Sequence, residues 1–213
     1  MLTDTSKAII ARFSAYTLGI LAFTALLPFL IRNGDIAMFD ENGIVETMQF
    51  GLLICATAVF SVTSFRNSAF RSLLLILSCC SALAAFRELD LLLDKWIPVI
   101  GWKIGYLVIV LAAFVAYKEW HILKSQIRQF FFLRGFGVLW AALVIAIPFS
   151  QLVGHEEFLV AVMGDDYTRN YKRIIEESGE LIGYFLLAAA SLEIVSQMRA
   201  QTKARLGFQE EQE

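Results

Sequence analysis

In the stretch RIIEESGELIGYFLL, Arg173, Glu177, Glu180 and Tyr184 stand three or four residues apart, ahead of an apolar run. That spacing places them on one face of a helix. Asn42, Glu46 and Gln49 form a second such stripe in front of another apolar run. Arg87 and Glu88 end a third run, Lys103 and Tyr106 open a fourth, and Gln151 and His155 close a fifth.

Two kinds of chemistry follow from these residue types. Arg87 and Lys103 suit an anionic headgroup or serve as countercharges to Glu180. Glu46, Glu88, Glu177 and Glu180, with His155 assisting, are oxygen-rich ligands that suit a divalent cation such as Mg²⁺, Ca²⁺ or Mn²⁺. In the first case Glu180 is the titrating group, with Gln49, Tyr106 and Tyr184 as polar neighbours.

Other chemistries lack their residues. HExxH is absent, GHEEF lacks the second histidine, and His121 and His155 are the only imidazoles. There is no GxSxG elbow and no Gly-rich phosphate loop. Cys55, Cys79 and Cys80 lie inside apolar runs without CxxC spacing, which suits small packing residues better than disulfides or zinc. A net charge of −2 gives no footprint for nucleic acid.

The elements that must position these groups are membrane helices. Of the 213 residues 58% are hydrophobic and 18% charged, where soluble domains carry about a quarter charged. A hydrocarbon core of about 30 Å needs about 20 helical residues. Phe13–Ile31, Thr47–Phe65 and Gly135–Gly154 are charge-free runs of nearly that length. Ser72–Phe86, Ile104–Tyr117 and Leu181–Leu192 fall short, so each must draw charged residues in at one end. The first run exceeds an ordinary signal-peptide core and reads as a retained helix.

The expectation is an all-α integral membrane protein, a bundle of six transmembrane helices in one domain, 1–198. Approximate spans are 13–31, 46–65, 71–89, 98–117, 135–154 and 177–198, followed by a cytoplasmic polar tail, 199–213. Eleven of the eighteen lysines and arginines then lie on the N-terminal side of the membrane, which makes both termini cytoplasmic. On this topology the polar residues gather at the extracytoplasmic ends of helices 2–6. A charge in the membrane interior costs about 2.5–3.5 kcal/mol, so these groups should face one another or a wet cavity.

Glycine spacing in GWKIG (Gly101, Gly105) and GELIG (Gly179, Gly183) predicts close packing of the fourth and sixth helices, holding Glu180 against Lys103 or Arg87. Glu193, in the inner half of the last helix, is expected to pair with Arg71 or Arg134. FRNSAFR reads as a tight turn, and KEWHILKSQIRQFFFLR as an interfacial segment at an anionic lipid surface. The apolar piece Phe158–Met163 reads as a lid or re-entrant segment.

Three functions fit. The first is binding or transport of a cation, a proton-coupled solute or a lipid headgroup. The second is an enzyme acting on a lipid or lipid-linked substrate at the outer leaflet, with a carboxylate-bound divalent cation as its cofactor. The third is an accessory subunit whose ion pairs are structural. The expected partners are the lipid bilayer and a homo-oligomer or larger membrane complex. The expected location is a bacterial inner membrane, and no nucleic acid is involved.

Overall fold

The computed structural model describes residues 4–33, 36–39 and 43–210, so Asn42 and the last three residues lie outside the described part. Helices and turns account for the described residues, with no strand among them. Six helices are long and apolar enough to cross a membrane: Ile9–Phe29, Ile44–Arg66, Ser68–Glu88, Gly101–Lys118, Arg134–Val153 and Arg169–Ala200.

The individual helices are α1 (Asp4–Asn33), α2 (Ile44–Arg66), α3 (Arg71–Glu88), α4 (Asp90–Trp96) and α5 (Tyr106–Lys118). They continue with α6 (Trp120–Phe131), α7 (Arg134–Val144), α8 (Ser150–Val153), α9 (Glu156–Met163) and α10 (Arg169–Glu210). Between α7 and α8 the fifth span passes through wider π-type turns at Ile145–Phe149, which contain Pro148. Proline lacks an N–H and its ring crowds the carbonyl four residues back, so the local turn opens.

The last helix extends beyond the expected span at both ends. It begins at Arg169 and stays helical to Glu210, so the polar segment from 199 continues the helix, while the apolar span ends at Ala200. No proline occurs in this 42-residue stretch, so nothing breaks the ladder. At 1.5 Å per residue it is about 63 Å long, twice the hydrocarbon thickness.

α10 is the axis of the bundle. It packs against α2 on one side and α7–α8 on another, while α3 leans on α2 and α5 on α3. Leu53, Ala56 and Phe60 of α2, Leu74 of α3, and Ala190, Ile194 and Met198 of α10 make the sealed centre. Over the most apolar stretch of each span, two-thirds (67%) of the α10 residues are buried and none (0%) of the α1 residues, so α1, which buries Leu27 near its end, is a peripheral helix.

The glycine motifs work, but with other partners than the spacing suggested. Gly179 faces Ser150 and Gly183 faces Ala146, both on the fifth span, whereas Gly105 faces Phe86 and Leu83 of α3. An added Cβ at Gly183 would stand 2.5 Å from that of Ala146 and 2.7 Å from its backbone nitrogen. The sixth span therefore touches the fifth backbone to backbone, and the fourth packs on the third.

At the opposite end, the turn between α2 and α3 is closed by Asn67, whose side chain accepts from the Ala69 N–H at 3.1 Å. Buried Gln126 of α6 donates to the Ala69 carbonyl (2.9 Å) and accepts from the Leu73 N–H (3.0 Å). The segment read as interfacial thus buries Leu123, Gln126 and Phe130 against the bundle. Lys124 reaches over the Trp120 ring at 5.0 Å.

Candidate functional site

The charged end of α3 and the first turns of the α10 span meet in one group. Arg87 Nη2 lies 3.0 and 2.9 Å from the two Glu180 oxygens, and Nε lies 3.7 Å from Glu88 Oε1. The Tyr184 hydroxyl donates to the same Glu88 oxygen at 2.9 Å. One turn before Glu180, Glu177 Oε2 accepts from Gln49 Nε2 at 2.8 Å, and the Glu177 carbonyl accepts from the same nitrogen at 3.1 Å. Glu88, Glu180, Tyr184 and Gln49 are buried, whereas the Arg87 side chain is 51% exposed. Gln49 Oε1 is buried with no hydrogen-bond partner among the described residues.

Of the two cations offered for Glu180, the structure selects Arg87. Lys103 is exposed and takes no part in the network. The reason is geometric: Arg87 ends α3, which packs on α2, and from there its side chain reaches α10, whereas Lys103 sits in the Gly101–Gly105 turn that packs on the flank of α3.

Two hollows adjoin the network. A polar cleft of about 210 Å³ is lined by Glu46, Arg169, Lys172, Arg173, Glu176 and Glu177, with Phe39. A second, apolar cavity of about 520 Å³ lies among α3, the fourth and fifth spans and α10, and Arg87 and Tyr184 belong to its wall. Tyr106 also lines this cavity, beside Trp102, with ring centroids 5.4 Å apart.

Seven of the ten residues singled out from the sequence therefore converge: Glu46, Gln49, Arg87, Glu88, Glu177, Glu180 and Tyr184. Tyr106 borders them across the cavity. His155 does not join them; it is exposed, beside Glu156, Glu157 and Lys172. The metal set is not assembled either. Among the described residues no group of three or more His, Cys, Asp or Glu side chains is placed to hold a metal ion. Glu180 faces a guanidinium, Glu88 a phenol and Glu177 an amide, which leaves no shared oxygen cage.

Sequence reasoning passed over Trp102, Phe39, Arg169, Lys172 and Glu176, and the cavity itself. A usable signal was the small-residue ladder Ala142, Ala146 and Ser150, which complements Gly179 and Gly183 across the fifth and sixth spans.

Glu193 is a further correction. It pairs with Arg12 of α1 at 3.0 Å, not with Arg71 or Arg134, and accepts hydrogen bonds from Tyr16 and from Gln197. Gln197 in turn accepts from the Arg134 backbone N–H at 2.8 Å.

Comparison of the chain with protein-family models, curated proteins and solved structures returned no match.

Proposed function

We propose that the protein sits in a bacterial-type inner membrane with both termini in the cytoplasm, and that its outer polar site binds the anionic headgroup of a membrane amphiphile. The observation that carries this reading is the placement of Arg87. Its guanidinium holds Glu180 on one side and lines the apolar cavity on the other, half-exposed, with donor capacity suited to a phosphate or carboxylate. In the outer cleft Arg169, Lys172 and Arg173 are balanced by Glu46, Glu176 and Glu177, so the preference for an anion rests on Arg87.

Neighbouring chemistry favours a headgroup over a cation, because the carboxylates already face donors. It also weighs against a continuous transport path. The next buried carboxylate on α10 is Glu193, thirteen residues or about 20 Å beyond Glu180. Between them the helix buries Leu186, Leu187, Ala188 and Ala190.

An enzymatic version of the same site has one specific support. Glu177 borders the outer cleft and is oriented by Gln49, as a general base toward a bound headgroup would be. Turnover of a lipid substrate that Glu177→Gln abolishes, with binding retained, would promote binding protein to enzyme.

The test of headgroup binding is purification in mild detergent followed by quantification of retained lipid. The expected result is near-stoichiometric anionic amphiphile in the wild type and its loss in folded Arg87→Gln. Equal retention in both, or zwitterionic lipid only, would refute it.

A further inference from the structure

We propose that the apolar cavity beneath Arg87 is the seat of one hydrocarbon chain of that amphiphile, which makes the ligand an anionic phospholipid drawn from the outer leaflet. This rests on the headgroup reading above and goes further by naming where the tail lies.

The first argument is polarity. The walls are aliphatic at Leu77, Leu83, Leu139, Leu143 and Ile147, while the charged group, Arg87, stands at one end. A pocket apolar along its length and cationic at one rim is complementary to a molecule built the same way. A soluble anion would leave the walls without contacts, and a neutral hydrocarbon would leave the guanidinium without a partner on that side.

The second argument is size. A volume of about 520 Å³ lies within the range of roughly 300–1,000 Å³ typical of small-molecule sites. Along α3 the lining runs from Leu77 to Arg87, ten residues or about 15 Å. That is half of a hydrocarbon core of about 30 Å, the depth of one leaflet. An acyl chain whose headgroup lies at the outer surface ends where this cavity ends.

The third argument is how the hollow is made. Ala84, Ala142, Ala146 and Gly183 supply small walls on three helices, and the wide turns around Pro148 carry Ile147. Such π-type irregularities recur at functional sites. Access is lateral: Tyr106 is 51% exposed and Ile147 57% exposed, on surfaces where bilayer lipid would lie.

The experiment uses the full chain in nanodiscs that contain a trace of phosphatidylglycerol with a diazirine near the end of one acyl chain. Light-induced adducts are mapped by mass spectrometry. The expected labels fall on Phe60, Leu139 and Leu187, which line the cavity and are buried from bulk lipid, and drop at least tenfold in Ala84→Phe and Ala142→Phe. Two filling variants on different helices, each checked for a monodisperse folded protein, guard against a misfolded one.

Labels confined to outward residues such as Val110, Phe114 and Trp140, and unchanged by both fillings, would overturn the cavity assignment. The headgroup reading would survive that result if Arg87→Gln still lowered retention of anionic lipid. Cavity labels lost on filling, but equal for a phosphatidylcholine probe and indifferent to Arg87→Gln, would instead overturn the headgroup reading and the anionic class with it. Displacement of the probe by an isoprenyl phosphate at lower concentration than by phosphatidylglycerol would overturn the choice of a phospholipid.

Discussion

The molecule holds two arginine–glutamate–tyrosine groups on the same long helix, and they differ in what surrounds them. At one end, the outer one on the proposed topology, Arg87, Glu180, Glu88 and Tyr184 join two central helices and adjoin both a polar cleft and an apolar cavity. At the other end, the inner one on the proposed topology, Arg12, Glu193 and Tyr16 join α10 to α1, a helix that buries Leu27 but little else of its span, and Gln197 completes the carboxylate's bonds. The same side chains therefore serve two purposes. The inner group fastens a peripheral helix. The outer group ties α3 to α10, and it also keeps a half-exposed guanidinium at the mouth of a hollow.

The largest expected effect separates the two groups by stability. Arg87→Ala leaves Glu180, 5% exposed, without its countercharge. Losing one partner of a buried pair costs about 3–5 kcal/mol, and the half-exposed arginine brings the expectation to about 2–3 kcal/mol. Arg12→Ala should cost about 1 kcal/mol, since Glu193 keeps Tyr16 and Gln197. Denaturation in a single detergent compares them, and a larger loss for Arg12→Ala would reverse the ranking of the two groups.

Next comes the close contact between the fifth and sixth spans beside the outer group. Gly183→Ala places a methyl within 2.8 Å of Ala146 backbone atoms, so the fifth and sixth spans must part. A loss of about 1–3 kcal/mol is expected, with weaker lipid retention. Unchanged melting would mean that the contact is not needed.

A smaller effect is expected at the phenols. Tyr184→Phe removes a buried donor from Glu88 and should cost about 1–2 kcal/mol. Tyr16→Phe should cost less, because two other donors remain on Glu193. Paired melts of the two variants measure the difference directly.

The smallest effect is at His155. It is exposed and outside the network, so His155→Ala should shift stability by less than about 0.5 kcal/mol and leave lipid retention unchanged. A loss of binding in this variant would restore histidine to the site.

How far the sequence could be read follows the same physics. Apolar run length is a one-dimensional property, and six helices long and apolar enough to cross a membrane appear where those runs lie. Helical periodicity likewise aligned Glu177, Glu180 and Tyr184, which meet Gln49, Arg87 and Glu88 in turn. Pairing between helices is not periodic. Gly105 and Gly183 were legible as contact residues, but Phe86 and Ala146 as their partners were not. Glu193 shows the same limit: its partner Arg12 is 181 residues away, and no local pattern distinguishes it from Arg134. The cavity was least legible, because it is made by small residues on several helices and by the widened turns at Pro148.

The most direct test of the central claim is a thermal-shift titration with phosphatidylglycerol in mixed micelles, using wild type, Arg87→Gln and Glu193→Gln. Ligand binding to the folded state raises Tm with ligand concentration. Wild type and Glu193→Gln should both gain stability as the lipid is added, while Arg87→Gln gains none. An equal rise in all three proteins would contradict the account, since the outer arginine would then not be the group that recognises the lipid.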